Sequence, residues 1–400
     1  MLAQLKNLRG DKAIWAIVAL LALFSFLPVY SACTNLVYIK SSGTTISHLF
    51  KHGVLLFLGF MIIYAIHRIP TQYFKGLVLI AMPIILALLA YTLTVDTNIG
   101  GVNANRWIPI PFIGIKFQTS TLATVGLMIW IARYLSKIHE TKITFSESIL
   151  PLWLPICLVV GLILPANFST AVIVGVLALI LCFLGGYPLK YLSVIVLTGI
   201  AIVSLFVFML FNATDALPDR AGTWKNRIET FMHPENASAD ATRQANDAKM
   251  AVARGGLLGK GAGKSVMKNT LSQSESDFIF AIIIEEYGLI GGLGLLFFYL
   301  LLLFRIVVVA NSAKTIFAKL LVIGVGLPIV FQAFINMAVV VQLFPTTGQP
   351  LPLISMGGTS IWMTCLAIGI VLSASDKKQD ELVATEVDDT NPLEVLSGQL

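Results

Sequence analysis

Long apolar runs alternate with short polar segments along almost the whole chain. A helix needs about 20 apolar residues to cross a bilayer, and ten runs come close to that length. They lie at 13–33, 53–69, 75–95, 118–136, 148–165, 168–186, 189–211, 278–304, 318–342 and 353–374. The pattern predicts an all-α polytopic membrane protein with ten transmembrane helices, the fifth and sixth forming a tight hairpin.

One polar segment is much longer than the others and separates the seventh run from the eighth. It covers residues 212–276, and loops of this length in compact proteins are usually functional or disordered. Its first half, 212–247, mixes aromatic and charged residues and is predicted to pack onto the membrane domain. Within the same loop, 236–250 is predicted to form a short surface helix.

The distribution of basic residues predicts the orientation. With the N-terminus inside, the short inside segments hold fourteen Lys and Arg residues and the short outside loops hold four. Because Lys and Arg accumulate in cytoplasmic loops, both termini are predicted to be cytoplasmic and the long loop extracytoplasmic. The predicted regions are a cytoplasmic N-terminus at 1–12, spans one to seven at 13–211, the large loop at 212–276, spans eight to ten at 277–375 with a re-entrant-like loop at 343–358, and a disordered cytoplasmic tail at 376–400.

Composition agrees with a membrane protein. Hydrophobic residues make up 57% of the chain, charged residues only 12%, and the mean hydropathy is +0.86, whereas a soluble domain has about 25% charged residues. The net charge of +6 follows the membrane topology and does not indicate nucleic acid. The four cysteines and five histidines show no metal-ligand spacing, so we predict no dedicated metal site.

A glycine-rich basic stretch lies at the end of the long loop. Its residues are Gly255, Gly256, Gly259, Lys260, Gly261, Gly263 and Lys264, followed by Lys268. It is not a Walker A motif, because Leu258 stands where that motif needs its first glycine and no strand precedes it. Two readings remain open: a flexible turn, or backbone N–H groups and lysines that bind phosphate.

Asp277 stands where this loop meets an apolar helix. It is either a helix N-cap or a carboxyl group whose pKa is raised by its apolar surroundings, which suits a general base near neutral pH. Glu285 and Glu286 follow inside the eighth run, where carboxylates are costly. Either that span is tilted, or 278–284 is a separate short helix and the crossing begins near Tyr287. The second alternative, which we favour slightly, places both glutamates near the outer interface and within reach of the loop.

Further polar residues are expected at the same outer cavity. Arg106 and Lys116 form either an anion site or a pair of snorkelling cations beside an interfacial Trp107. Asn336 is expected to face the same interior. A Pro- and Gly-rich stretch from Pro345 to Ser360 is predicted to be irregular and partly re-entrant, which requires that it be buried in protein or line a wet cavity.

Four motifs carry a resemblance to a known family. They are Arg227-Ile-Glu-Thr-Phe-Met-His-Pro234, Gln244 eleven residues before Gly255, Ser276-Asp-Phe-Ile-Phe280 with Glu285-Glu-Tyr-Gly288, and the Pro345–Ser360 stretch. With these motifs, nearly the whole chain resembles the SEDS family (shape, elongation, division and sporulation), FtsW and RodA. It departs from the family at Gln118–Thr124, which lacks the family's Pro, Glu and Lys. The last motif and the acidic tail are more similar to FtsW than to RodA.

The resemblance implies a peptidoglycan glycosyltransferase that polymerises lipid II at the outer face of the bacterial cytoplasmic membrane, at the division septum. It implies Asp277 as the catalytic base, with or without a divalent cation (Mg²⁺ or Mn²⁺) at the leaving diphosphate. The implied partners are lipid II, a class B penicillin-binding transpeptidase, other division proteins and membrane lipids. The expected substrate-binding residues are Arg106, Lys116, Gln118, Ser120, Arg227, Gln244, Gly255, Gly256, Gly259, Lys260, Gly261, Lys264, Lys268, Glu285, Glu286, Asn336, Pro345, Gly348, Pro352, Ser355, Gly357, Gly358 and Ser360.

Two other functions remain open. A flippase for lipid-linked precursors would need polar groups in both halves of the membrane, whereas here they concentrate on the outside, which favours the enzyme. A non-catalytic scaffold would need only the fold and the tail. Both alternatives predict that Asp277→Asn leaves activity unchanged.

Overall fold

The computed structural model of the chain describes residues 9–38, 43–95, 98–99, 102–103, 107–109, 116–138, 143–212, 221–233, 239–271 and 273–376. These residues are mostly helical. The helices are α1 Lys12–Tyr38, α2 Thr45–Ile66, α3 Thr71–Thr94, α4 Thr119–Ile138, α5 Phe145–Ser148, α6 Leu154–Ile163, α7 Phe168–Leu184, α8 Leu189–Asn212, α9 Ala221–Met232, α10 Ala239–Gly255, α11 Ile279–Ser312, α12 Ile316–Val340 and α13 Thr359–Ala374. A π-helical turn, Ile149–Trp153, joins α5 to α6, and a 3-10 turn spans Met267–Asn269.

Four short strands precede α4. They are β1 Asn98–Ile99, β2 Val102–Asn103, β3 Trp107–Pro109 and β4 Lys116–Gln118. β1 pairs antiparallel with β2, and β3 with β4, where Trp107 lies opposite Gln118. Strands of two or three residues are too short to show an alternating pattern. The sequence pattern therefore predicts only a loop in this region.

The all-helical polytopic class is confirmed. Within the described part of the chain, seven helical segments are long and apolar enough to cross a membrane, and α7 and α13 are shorter apolar helices. Each of the ten predicted runs overlaps a helix or the α5–α6 pair. The run at 118–136 corresponds to α4, which carries more polar residues and belongs to neither group. Ten crossings therefore remain a prediction.

Helix ends differ from the apolar runs where capping groups or prolines decide them. α2 begins at Thr45 instead of 53, because Thr44 and Ser47 form a reciprocal capping box that satisfies otherwise unpaired N–H groups. α13 begins at Thr359 instead of 353, because the Pro-rich segment before it stays irregular. The hairpin between α6 and α7 is confirmed, and the Asn167 side chain caps α7 by accepting from Thr170 N at 3.2 Å.

The helices differ widely in burial. In the most apolar stretch of α12, 61% of residues are buried, against 6% in α8. α12 packs against α11, α4 and α13 and forms the centre of the bundle, whereas α8 packs mainly against α7 and α9. The Phe206 ring of α8 lies 5.4 Å from Phe168 and 5.7 Å from Trp224 of α9. The described part of the first half of the long loop therefore packs onto the membrane domain through α9, as predicted.

The predicted surface helix at 236–250 is α10, which continues to Gly255. It is not wholly a surface helix, because Ala245, Ala248 and Ala251 are buried and α10 packs on α11. These alanines recur every third residue and so form one face. Their small side chains allow the two helices to approach closely.

α11 contains a break at Gly288, where φ is 69° and ψ is −172°. A short helix, 279–287, therefore precedes the long helix, 289–312. This confirms the alternative of a separate short helix, although its end lies at Tyr287 and not at residue 284. We call the break the α11 kink.

Candidate functional site

The glycine-rich loop, here residues 255–267, pairs its backbone with the α11 kink. Lys260 N donates to Glu285 O and Gly261 N donates to Glu286 O, both at 2.9 Å. In the opposite direction, Leu289 N donates to Gly256 O at 2.9 Å. Leu289 begins the long helix, where the first N–H groups have no acceptor within the helix. The loop therefore supplies the cap of the long helix.

Three glycines make this backbone contact possible. A Cβ atom on Gly255 would lie 2.1 Å from Ile284 O, and one on Gly259 would lie 2.2 Å from Glu286 O. A Cβ atom on Gly288 would lie 2.2 Å from Leu257 O. The close approach at Gly255 and Gly259 is thus made to the chain's own backbone. Substrate binding at these two positions remains a prediction.

The other glycines of the loop are more open. A Cβ atom on Gly256 or Gly263 would have no described atom within 4 Å, and one on Gly261 would meet only the Lys264 side chain. All three have positive φ, at 56°, 75° and 99° respectively. Lys260 and Lys264 are exposed beside them. Phosphate binding by this part of the loop stays a prediction.

Glu285 binds residues 265–267 at the C-terminal end of the loop. Its side chain is fully buried. Oε2 accepts hydrogen bonds from Ser265 Oγ and from Met267 N, the latter at 3.2 Å. Oε1 accepts from Val266 N at 3.2 Å and lies 3.6 Å from Arg254 Nε. The carboxylate therefore satisfies several donors that the loop would otherwise bury unpaired.

Glu286 also binds the loop, and it connects the loop to α1. Its Oε1 accepts from Ser31 Oγ of α1 and from Ser265 N at 3.3 Å. Lys268 Nζ approaches the same hydroxyl, Ser31 Oγ, at 3.3 Å and Gly263 O at 2.9 Å. Oε2 of Glu286 is buried and has no hydrogen-bond partner among the residues that the structure describes. Ser31 was missed because a serine inside an apolar run carries no sequence signal.

Both glutamates thus lie within reach of the loop, as the separate short helix implied. The contacts described above are all with groups of this chain. A substrate contact by Glu285 or Glu286 stays a prediction.

Asp277 lies in a turn, 273–278, directly before the short helix. Its backbone N–H donates to Gln273 O at 3.2 Å, and its carbonyl accepts from Asn336 Nδ2 at 2.7 Å. The same amide donates to Gln349 O at 2.7 Å. Phe278 occupies the N-cap position without a side-chain cap bond, so the N-cap reading of Asp277 is wrong. Its side chain is half-buried.

The last loop, residues 345–358, is irregular and packs around this turn. Ser355 Oγ donates to Ser276 O at 2.6 Å, and Met356 N donates to Glu275 O at 2.9 Å. Tyr299 OH donates to Pro352 O from within the bundle. Residues 349–355 are all buried, which is the condition under which irregular backbone is tolerated at membrane depth. Asn336 and Ser355 are therefore brought to the Asp277 turn, whereas the contact of Pro352 is with Tyr299.

Other residues of the last loop and the long loop have contacts of their own. Arg227 Nη1 donates to Thr346 O at 3.1 Å, which ties α9 to the loop next to Pro345. Gly348 and Gly358 take positive φ values of 67° and 57°. At Gly357 a Cβ atom would lie 2.3 Å from Ser360 Oγ.

Gln244 is exposed on α10. Arg106 and the side chain of Lys116 lie outside the described residues.

Gln118 and Ser120 lie on the inner side of the last loop. Gln118 N donates to Thr359 Oγ1 at 3.1 Å, and Gln118 Nε2 donates to Ser120 Oγ at 3.2 Å. Nearby, a cavity of about 60 Å³ lies between α4, α7, α12 and α13. Ser360 and Gln349 line it, and Gln349 Nε2 also donates to Thr170 Oγ1 at 2.6 Å. Gln349 stands inside the Pro345–Ser360 motif but is not among the predicted substrate-binding residues.

The described residues contain no group of three or more His, Cys, Asp and Glu side chains that could hold a metal ion. A cation site built from the protein alone is therefore not seen in this part of the chain.

The fold and the site define a multi-pass helical membrane protein in which an acidic turn, a cationic glycine loop and a buried irregular loop meet beside one kinked helix. Residues 11–380 match the FtsW/RodA/SpoVE family, described as cell cycle proteins. The chain belongs to this family.

Its relatives and structural neighbours agree with that assignment. The chain is 31% identical over 374 residues to the probable peptidoglycan glycosyltransferase FtsW of Geobacter sulfurreducens, covering 92% of this chain and 96% of the relative. A chain from a peptidoglycan synthase complex, described for its coordination of polymerization and crosslinking, has a TM-score of 0.70 at 23% identity, covering 92% and 98%. The rod shape determining protein RodA of Thermus thermophilus has a TM-score of 0.63 at 24% identity, covering 92% and 96%. These structures share the fold.

Proposed function

We propose that the chain is a peptidoglycan glycosyltransferase of the FtsW type, which polymerises lipid II at the outer face of the bacterial cytoplasmic membrane during cell division. The family match over residues 11–380 and the FtsW relative support the class of enzyme. One observation supports the choice of Asp277 as the catalytic base. Asp277, the acidic residue of the family motif, has its main chain fixed by Asn336 while its carboxyl group stays half-buried.

The reaction joins two lipid-linked disaccharides. The 4-hydroxyl of the GlcNAc of one lipid II attacks the anomeric carbon of the other, the bond from that carbon to the diphosphate oxygen breaks, and undecaprenyl diphosphate leaves. Asp277 takes the proton of the attacking hydroxyl, which requires the two groups to lie about 3 Å apart. Asn336 and Ser355 act as positioning residues, because they hold the main chain of the turn that carries Asp277.

The leaving diphosphate needs positive charge close to where its own charge develops. Five basic residues and no acidic residue lie between Asp247 and Glu275. Ser274 Oγ donates to Lys268 O at 3.4 Å, so the end of the cationic segment returns to the turn of Asp277. Lys260, Lys264 and Lys268 are the proposed diphosphate ligands, with Arg106 and Arg227 as further candidates.

The two buried glutamates have a different role in this proposal. Glu285 and Glu286 position the glycine-rich loop through their hydrogen bonds to Ser265. A divalent cation, Mg²⁺ or Mn²⁺, would be held mainly by the substrate's phosphates, as is usual for Mg²⁺. No step assigned to the protein residues depends on it.

The proposed partner is a class B penicillin-binding transpeptidase, which would cross-link the new strand. The peptidoglycan synthase complex that shares this fold is described as coordinating polymerization with crosslinking, which supports such a partnership. Cytoplasmic termini and a septal location remain part of the proposal.

The decisive experiment is glycan polymerisation from labelled lipid II by the full chain with its transpeptidase in nanodiscs. Asp277→Asn should lower the rate by about 10²–10⁴-fold, the usual contribution of a general base, with unchanged thermal stability. Glu229→Gln is the control, because Glu229 is a half-buried carboxylate on α9 paired with Lys225 and should keep full activity. Equal polymer from wild type and Asp277→Asn would remove Asp277 as the base. No polymer from the folded complex would favour the flippase or scaffold.

A further inference from the structure

Two adjacent leucines at the tip of the glycine-rich loop are exposed. Leu257 is 69% exposed and Leu258 is 80% exposed. Gly256 and Gly259, with φ of 56° and 81°, turn the chain on either side of them. Water in contact with two large apolar side chains is unfavourable, so this tip calls for an apolar environment.

The tip lies beside the long helix of α11. Ile290 N donates to Leu257 O at 3.3 Å, next to the bond from Leu289 N to Gly256 O. From this point the helix carries an exposed apolar stripe at helical spacing, formed by Ile290, Leu293, Phe297, Leu300 and Phe304. That stripe belongs to a helix long and apolar enough to cross a membrane, so it faces lipid. The two leucines extend this surface past the start of the helix.

Charge around the tip fits the same environment. Lys260 and Lys264 are exposed a few residues after the leucines, and the segment between Asp247 and Glu275 contains no acidic residue. Apolar side chains flanked by Lys and Arg are typical of segments that enter the interface of a bilayer, where the cations meet anionic headgroups.

The tip cannot fold back onto the protein without breaking the main-chain contacts that hold the loop. Gly255, Gly259 and Gly288 pack backbone against backbone, and four main-chain bonds join the loop to the α11 kink. The exposure of the leucines is therefore built into the loop's conformation.

We propose that Leu257 and Leu258 insert into the lipid leaflet on the loop's side of the membrane and hold Lys260 and Lys264 at the level of the lipid phosphates. The insertion stands independently of the enzymatic activity. Its consequence rests on the proposed function: the diphosphate of a polyprenyl-linked substrate lies at that same level, so it reaches the loop cations sideways from the bilayer.

The test measures the depth of the loop tip with a nitroxide label. Cys157 is exposed, whereas Cys33, Cys182 and Cys365 are buried, so Cys157→Ser provides a background for single labelling. Leu258→Cys and, separately, Leu257→Cys are labelled in the full chain. The control is Ala262→Cys, an exposed position of the same loop. The proteins are reconstituted in vesicles of phosphatidylethanolamine and phosphatidylglycerol, and collisions with oxygen and with a water-soluble nickel chelate are compared.

We expect labels at 257 and 258 to collide readily with oxygen and about tenfold less than the label at 262 with the nickel chelate, because polar solutes are excluded from hydrocarbon. Equal access of the chelate to 258 and 262 would place the tip in water and overturn the proposal. Protection from both reagents would show that protein covers the tip, and would overturn it as well. No turnover is involved, so this result is independent of the polymerisation assay.

A second measurement connects the insertion to the enzyme. The double variant Leu257→Ser/Leu258→Ser should raise KM for lipid II in nanodiscs several-fold while kcat stays within twofold, because the leucines touch no reacting atom. Unchanged KM would contradict the sideways route, and would leave the polymerase assignment of Asp277 unaffected.

Discussion

The two ends of the short helix 279–287 are held in opposite ways. At its C-terminal end, two buried carboxylates, Glu285 and Glu286, fix the glycine-rich loop by accepting from its N–H and hydroxyl groups. At its N-terminal end, neutral groups on Asn336 and Ser355 fix the Asp277 turn by donating to its carbonyls. The glycine-rich loop is thus held by charged carboxylates, whereas the Asp277 turn is held by a neutral amide and a neutral hydroxyl.

This difference separates two structural carboxylates from the carboxyl group of the proposed base. Glu285 and Glu286 are almost completely buried, and their carboxylate oxygens accept hydrogen bonds from Ser265, Val266 and Met267. Asp277 is half-buried, and its main-chain carbonyl accepts a hydrogen bond from Asn336. Stability and activity should therefore respond separately to substitutions at the two ends.

Glu285→Ala should have the largest effect on stability. It leaves Ser265, Val266 and Met267 without their acceptor, and removing one partner of a buried charged network costs about 3–5 kcal/mol. Chemical denaturation in mixed micelles measures the loss. Asp277→Ala, measured alongside, should change the free energy of unfolding by less than about 1 kcal/mol while activity is lost. Equal destabilisation by both variants would contradict the distinction.

Gly288→Ala should come next. The φ and ψ values at Gly288 belong to a region that is essentially restricted to glycine, where strain costs about 1–3 kcal/mol, and the new Cβ would also lie 2.2 Å from Leu257 O. Thermal unfolding and protease cleavage of the loop report the damage.

Gly294→Ala is the matched control in the same helix. A Cβ there would meet no described atom within 4 Å, so the variant should gain about 0.5–1 kcal/mol of stability from better helix propensity. Similar losses in both variants would show that the kink is not the cause.

Asn336→Ala should have a smaller effect on stability than Gly288→Ala, and a larger effect on rate. It removes bonds to Asp277 O and Gln349 O, at about 0.5–1.5 kcal/mol each, and should lower kcat more than it changes KM. Gln332→Ala is the control one turn away, because Gln332 Nε2 donates to Pro350 O at 2.8 Å and so touches the last loop alone. A kcat loss as large in Gln332→Ala would mean that the last loop, and not the Asp277 turn, limits the rate.

The bundle could be predicted from the sequence because membrane helices satisfy their own backbone and must present apolar side chains to lipid. The same reasoning predicted the break in α11, since two carboxylates inside an apolar run are costly. It placed Glu285 and Glu286 near the loop, and Asn336 near the last loop, before any contact was known.

The contacts themselves could not be predicted in this way. Gly255 and Gly259 read as positions for a ligand, but they face Ile284 and Glu286, and only the folded chain reveals which backbone approaches which. Ser31 is a single hydroxyl in an apolar helix, distant in sequence from Glu286. The N-cap reading of Asp277 failed because the turn 273–278 is organised by the last loop, a long-range effect with no local signal.

The capping of α11 by the carbonyls of Gly256 and Leu257 makes the loop and the membrane helix one cooperative unit. Opening the loop would uncap the helix, so the loop cannot fray cheaply as most exposed loops do. Amide protons of Lys260, Gly261, Leu289 and Ile290 should therefore exchange with solvent together, through the same opening event. Its glycine content alone would predict a flexible segment, whereas its bonds to α11 predict amide exchange as slow as that of the helix it caps.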